Sequence, residues 1–370
     1  MARTGTTRSV DLDVIRAIAL IGVCIMNYHG YLNPRIAGNP TTAMGELFDP
    51  WRGPLATRFA STFVVVAGMG VVLLTRRAVA SNNPADIAAQ RWVLIRRGVL
   101  LVSFGYVVDW VWPGTILFFY GGYFLVAAMV FTLRTQWIVT LGIGAAVAAT
   151  AIRWWAIDHP LQWLLAGDAE TTRSPRDLVF DLVVRGTHPL LPWLAFLCLG
   201  MVLQRHMPTR PARRIVLAIG GVAAVIAAYV ASVALPGEEV LRATWPYSRS
   251  VPYVLSAGGS SLVAVLAIGA LARATSGARV TRWLAVAGRC TLSLYALHVV
   301  AYRLVVDTLE LADHDSGLTT ALVLAVGFWL TAITAAAAWN RVASIGPLEW
   351  VYRRFSDGTP VALARDIDRR

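Results

Sequence analysis

The chain has 370 residues, of which 57% are hydrophobic and only 15% charged, with a mean hydropathy of +0.60. An ordinary water-soluble fold needs a more polar surface than this, so the composition excludes one and points to a polytopic membrane protein. The net charge of +12 comes from 33 basic residues, all arginine; they fall in short connections between apolar runs, the pattern of cytoplasmic loops and not of a nucleic-acid-binding face.

Apolar runs of about 20 residues predict helices near 13–32, 56–75, 93–112, 115–133, 137–153, 188–204, 215–235, 251–272, 284–306 and 318–339. The expected fold is all-α: a polytopic transmembrane helix bundle of about ten spans forming a single domain over residues 1–370, with no linker dividing it. Arg76, Arg77, Arg91, Arg134, Arg205, Arg210, Arg213, Arg214, Arg273, Arg279 and Arg282 lie in alternate connections. With further arginines in the tail 340–370, this places both termini in the cytoplasm and the protein in the cytoplasmic (inner) membrane. The first apolar run is long and begins with charge, so it reads as a retained helix, not a removable signal peptide.

That first run carries Asp13, Arg16, Asn27 and His29. Ionisable or amide groups within a bilayer are costly and mark candidate sites. Asp13 and Arg16, spaced i, i+3, are placed to pair. Arg16 and Asn27, eleven positions apart, share one helix face about 16 Å apart, so a polar stripe is expected along it. Asn27 and His29 point about 200° apart on an ideal helix. They serve one site only if the helix ends or bends there, and Gly30, Asn33 and Pro34 supply the residues for such an ending.

The ninth run places Thr291, Tyr295 and His298 on one face by spacings of four and three. His298 is the second base candidate beside His29, and its bland reading is a helix–helix hydrogen bond. Arg96 and Arg97 open the third run; they either snorkel to headgroups or gather phosphates together with Arg16 and Arg289. Cys24, Cys198 and Cys290 have no metal-ligand or disulfide spacing and read as packing residues, so no metal is expected. Residues 33–55 and 154–187 are too polar for lipid, and read either as a lid and acceptor surface or as solvated connectors.

The stretch from Leu12 to Gly22, with Asp13, Arg16 and then Asn27, resembles the opening of the YeiB-like bacterial membrane proteins and of the heparan-α-glucosaminide N-acetyltransferase-like proteins. Trp112-Pro113-Gly114-Thr115-Ile116-Leu117, Tyr120-Gly121, Gly288-Arg289 and the tail Gly346-Pro347-Leu348-Glu349-Trp350 resemble the inner and C-terminal motifs of the YeiB-like group. The resemblance implies membership of a transmembrane acyltransferase superfamily that also holds the acyltransferase-3 proteins. It implies transfer of an acyl group from cytosolic acyl-CoA, with acetyl-CoA the expected co-substrate, to a glycan or lipid across the membrane. The acyltransferase-3 His position is Asn27 here, which leaves His29 as the carried-over catalytic histidine. Two departures from the pattern are Ala17, usually Gly, and Thr115, commonly an acid.

The expected function is therefore acyl transfer from acyl-CoA to a hydroxyl or amine of an envelope glycan or lipid. His29, or His298 if the helices converge, removes the acceptor proton. Asn27 orients the acceptor or donates to the oxyanion, and Arg16, Arg96, Arg97 and Arg289 hold phosphates. The partners are the bilayer, acyl-CoA and the acceptor, with no nucleic acid. The competing classes are a transporter or flippase whose path the same polar residues line, and a non-catalytic membrane scaffold.

Overall fold

A chain in hydrocarbon must satisfy its own backbone, so long apolar runs separated by Gly, Pro and Arg fold as helices. The computed structural model describes residues 10–32, 42–159, 175–313 and 317–357, and no β-strand occurs among them. In chain order the α-helices are α1 (Val10–Leu32), α2 (Ala43–Leu47), α3 (Arg58–Ser81), α4 (Pro84–Asp109), α5 (Ile116–Val130), α6 (Thr135–Ile157), α7 (Pro175–Phe180) and α8 (Leu190–Arg205). They continue as α9 (Pro211–Ala234), α10 (Glu239–Arg242), α11 (Val251–Ala274), α12 (Arg279–Arg289), α13 (Thr291–Tyr302), α14 (Gly317–Trp339) and α15 (Pro347–Asp357).

Local chemistry sets the ends. The Asn83 side chain accepts from the Ala85 amide at 2.9 Å, and Pro84 opens α4 where no donor is needed. Asn82, with φ of 50°, stops α3 in the left-handed conformation that an amide side chain tolerates. Asp11 and Asp13 occupy the first turn of α1, where carboxylates oppose the helix dipole.

Five helices, α3, α6, α9, α11 and α14, are long and apolar enough to cross a membrane; seven spans result if each of two bent pairs counts as one. Ten of that grade are not found among the described residues. The expected span 115–133 is the 15-residue α5. The expected span 284–306 is not one helix: α12 and the segment from Thr291 to Thr308 meet at 85° around Cys290. The reason is visible in α12, which exposes Arg279, Arg282 and Trp283 and buries Thr281, Ala285, Val286, Ala287 and Gly288. That two-faced pattern belongs to a helix lying at an interface.

Packing divides the described residues into two compact units, residues 10–32, 264–313 and 317–351, and residues 42–159, 175–263 and 352–357. In the first, α1 packs on α12, α13 and α14. Val14, Ala272 and Ala285 form a buried cluster there, with Ile18, Ile268 and Leu284 against it. A Cβ on Gly288 would stand 1.8 Å from the Asp13 carbonyl oxygen, so α12 and α1 touch backbone to backbone. Small residues permit such contacts where lipid supplies no hydrophobic drive between helices.

In the second unit, α8 packs on α3 and α6, and α4 on α5. Gly200 meets the Val65 carbonyl and Gly68 the Leu197 carbonyl as closely as Gly288 meets Asp13. Hydroxyls join α3 to α11: Ser61 to Ser261 at 2.8 Å, Thr62 to Ser261 at 3.2 Å, and Thr57 to Tyr253 at 3.0 Å. Cys24, Cys198 and Cys290 are all buried. Residues 33–41 and 160–174 of the two polar connections lie outside the described residues, as do 358–370 of the tail.

Candidate functional site

The first unit brings together two polar groups 271 positions apart. Nδ2 of Asn27 on α1 stands 3.2 Å from Nε2 of His298 on α13. His298 Nδ1 lies against the Tyr295 carbonyl oxygen, one turn earlier on the same helix. A carbonyl only accepts, so Nδ1 carries the proton and Nε2 keeps its lone pair. The Asn27 amide therefore donates to Nε2.

Aromatic rings also wall the imidazole. Tyr28 stacks on it at 5.9 Å and 27°, Tyr295 meets it edge-on at 4.7 Å, and Phe328 lies at 6.4 Å. The Tyr28 hydroxyl donates to the His298 carbonyl at 2.9 Å, fixing α1 against α13 at this level. His298 is 1% exposed, so the ring is shielded from bulk water.

α1 runs unbroken to Leu32, so the expected ending near Gly30 does not occur. Asn27 and His29 consequently keep their separation of about 200°. His29 is buried, at 3% exposure, but it projects from a different flank of α1 than the residue that meets His298. Arg16 pairs with Asp13 at 3.2 Å, the contact their spacing predicts. Between Arg16 and Asn27 the same face carries Leu20, Val23 and Cys24, all buried, so the polar stripe is interrupted by apolar packing.

Arg289 closes α12 beside Gly288, the residue in contact with Asp13. That places Arg16 and Arg289 at one end of the first unit. Arg96 and Arg97 belong to the second unit. Arg96 is exposed, whereas Arg97 reaches Asp357 at 3.0 Å and Ser356 at 3.2 Å and sits over the Tyr352 ring at 5.2 Å. A phosphate seeking Arg97 would compete with Asp357.

Several structural groups escaped the sequence reading. Arg58 donates to the carbonyls of Ala56 and Thr244 and to the Ser256 hydroxyl, at 3.2, 2.9 and 3.0 Å. Arg249 serves the carbonyls of Val184, Arg185 and Gly186, where a π-helical segment, Asp181–Arg185, ends. Arg153 serves those of Tyr247 and Ser248. All three are buried, and an arginine inside or flanking an apolar run was the available signal. Thr115, where an acid is common, caps α5, and Asp109 accepts from the adjacent Gly114 amide at 2.8 Å. A carboxylate thus still reaches this corner.

An all-helical membrane protein with a histidine held between helices by an asparagine is the class that this fold and site define. The family described as heparan-alpha-glucosaminide N-acetyltransferase, catalytic, matches residues 8–235, more than half of the chain, and the chain belongs to it. A second family, described as a protein of unknown function (DUF418), matches residues 201–359. The chain is also 23% identical over 391 residues to "Uncharacterized protein YeiB" of Escherichia coli (strain K12), covering 94% of this chain and 96% of that protein. This is a YeiB-like branch of the acetyltransferase-related family. Asn27 falls within the first matched region and His298 within the second.

Proposed function

We propose that the protein is an acyltransferase of the cytoplasmic membrane, with ten spans and both termini cytoplasmic, that moves an acetyl or other acyl group from cytosolic acyl-CoA to an envelope glycan or lipid. The carrying observation is the 3.2 Å contact between Asn27 and the lone-pair nitrogen of the buried His298. The reading is supported by the orientation of the imidazole through its other nitrogen and by the match to an N-acetyltransferase family.

In this mechanism an acceptor hydroxyl or amine takes the place of Asn27 at Nε2. Nε2 takes its proton as the oxygen or nitrogen attacks the thioester carbonyl. The displaced Asn27 amide donates to the developing oxyanion. As the carbon–sulfur bond breaks, His298 returns the proton to the departing thiolate. Arg16 and Arg289 hold the coenzyme phosphates by charge-assisted bonds.

The test is label transfer from radiolabelled acetyl-CoA to envelope extract by purified wild type, His298→Ala and His29→Ala. Transfer that survives in His298→Ala would remove the histidine base. A transporter reading is favoured by the two bent pairs, at 55° and 85°, since broken helices line many transport paths; it predicts substrate flux without label transfer.

A further inference from the structure

Glu349 is a buried carboxylate, 9% exposed, on α15, and it serves a different helix. Its Oε1 accepts from the Leu292 amide at 2.5 Å and the Ser293 amide at 3.2 Å, and its Oε2 from the Ser293 hydroxyl at 2.6 Å. Leu292 and Ser293 lie in the first turn of α13. The first amides of any helix lack partners within it. Cys290, which stands at the cap position, makes no side-chain capping bond. Glu349 supplies from a distance what the cap residue does not, with the sign of charge the helix dipole favours there.

The surrounding sequence is shaped to this contact. A Cβ on Gly346 would stand 2.1 Å from Glu349 Oε2 and 2.6 Å from the Ser293 hydroxyl, so a larger residue there would displace this contact. Pro347 starts α15 without needing a partner for an amide, and the Leu348 amide donates to the Ser293 hydroxyl at 3.0 Å. Burial raises the Glu349 carboxyl above the usual range, while the bonds from Ser293 and Leu292 pull it back. Gly346-Pro347-Leu348-Glu349 is therefore a clamp closed on Ser293.

α13 has particular need of one. The 85° bend at Cys290 breaks its continuity with α12, which would otherwise fix its height and rotation. His298 lies five residues beyond Ser293, about 7.5 Å along the axis. We propose that Glu349 is a positioning residue for His298, capping α13 from α15 and so setting where Nε2 meets Asn27. The proposal goes beyond the acyl-transfer reading and rests on it only for its activity measurement.

The test compares full-length wild type, Glu349→Ala and Glu349→Gln by hydrogen exchange over residues 291–302 and by steady-state transfer from acetyl-CoA. In Glu349→Ala, exchange at the start of α13 is expected to rise about tenfold or more, with α3 and α8 unchanged. kcat is expected to fall about tenfold at unchanged KM for acetyl-CoA, the split of a group that orients a base without touching the coenzyme. Glu349→Gln keeps an acceptor for the two amides and is expected to recover most of both losses. If Glu349→Ala does not fold, Ser293→Ala gives smaller changes in the same direction. Unchanged exchange at α13, or raised exchange with unchanged kcat, overturns the proposal. A wild type that transfers nothing, with the exchange pattern as expected, rejects the acyl-transfer reading and upholds the cap.

Discussion

The Asn27 amide stands 3.2 Å from the nitrogen of His298 that keeps its lone pair, because the other ring nitrogen is committed to the Tyr295 carbonyl. His298→Gln is expected to lower kcat by about 10²- to 10⁴-fold, the usual contribution of a positioned general base. Asn27→Ala is expected to lose about 10²-fold or more through the oxyanion donor. His29→Ala is expected to lose less than about tenfold, since it transfers no proton in this scheme. Transfer rates from acetyl-CoA rank the three variants, and a ranking with His29 first moves the base to the other flank of α1.

Close helix contacts give a second prediction. A Cβ at Gly288 or Gly200 would strike backbone at 1.8 or 1.9 Å, where no side chain can yield. Gly288→Ala and Gly200→Ala are each expected to cost about 1–3 kcal/mol or more by overpacking. Gly144 has nothing within 4 Å of its Cβ position, and Gly144→Ala is expected to be neutral or to gain about 0.5–1 kcal/mol. Thermal unfolding in detergent separates the two groups.

Arg97 and Asp357 form a pair at 3.0 Å with side chains 13% and 31% exposed. Their double-mutant coupling is expected to be about 0.2–1 kcal/mol and to shrink with added salt. If Arg97 also meets coenzyme phosphate, Asp357→Asn frees it and lowers KM for acetyl-CoA, whereas Arg97→Gln raises KM. Equal KM values in both variants would leave Arg97 as an anchor for α15 alone.

Arg58 holds three acceptors that lie on separate stretches of chain, at residues 56, 244 and 256. Arg58→Gln is expected to destabilise by about 2–4 kcal/mol, because carbonyls lose charge-assisted donors while remaining buried. Arg58→Lys is expected to recover little, since an ammonium lacks the planar fork that reaches several acceptors. Melting temperature checks both.

Helix content, the Asp13–Arg16 pair and the polar face of the ninth run were legible in the sequence, because each follows from spacing along one helix. The bend at Cys290 was legible only in part. Hydropathy averages across it, whereas the alternation of Arg279, Arg282 and Trp283 with buried small residues announces a two-faced helix. The choice between His29 and His298 was open and the contact of His298 with Asn27 was not legible, because convergence of α1 and α13 is a tertiary fact. The break expected at Gly30 failed for a related reason: within a packed helix, internal backbone bonding outweighs the local preference of a single glycine. Arg58, Arg153 and Arg249 went unread because their partners are mainly backbone carbonyls, which carry no residue-specific pattern.

The span of 271 positions between Asn27 and His298 also bears on how the chain is made. Asp13 and Arg16 neutralise each other within a turn and can enter the bilayer as soon as α1 leaves the ribosome. Asn27 cannot meet its mate until the ninth apolar run is synthesised, an interval of about 15–50 s at ordinary elongation speeds. During that time an insertase, a lipid headgroup or water must shelter its amide. A nascent chain stalled before residue 298 retains an unsatisfied polar group at membrane depth, where such a group is costly.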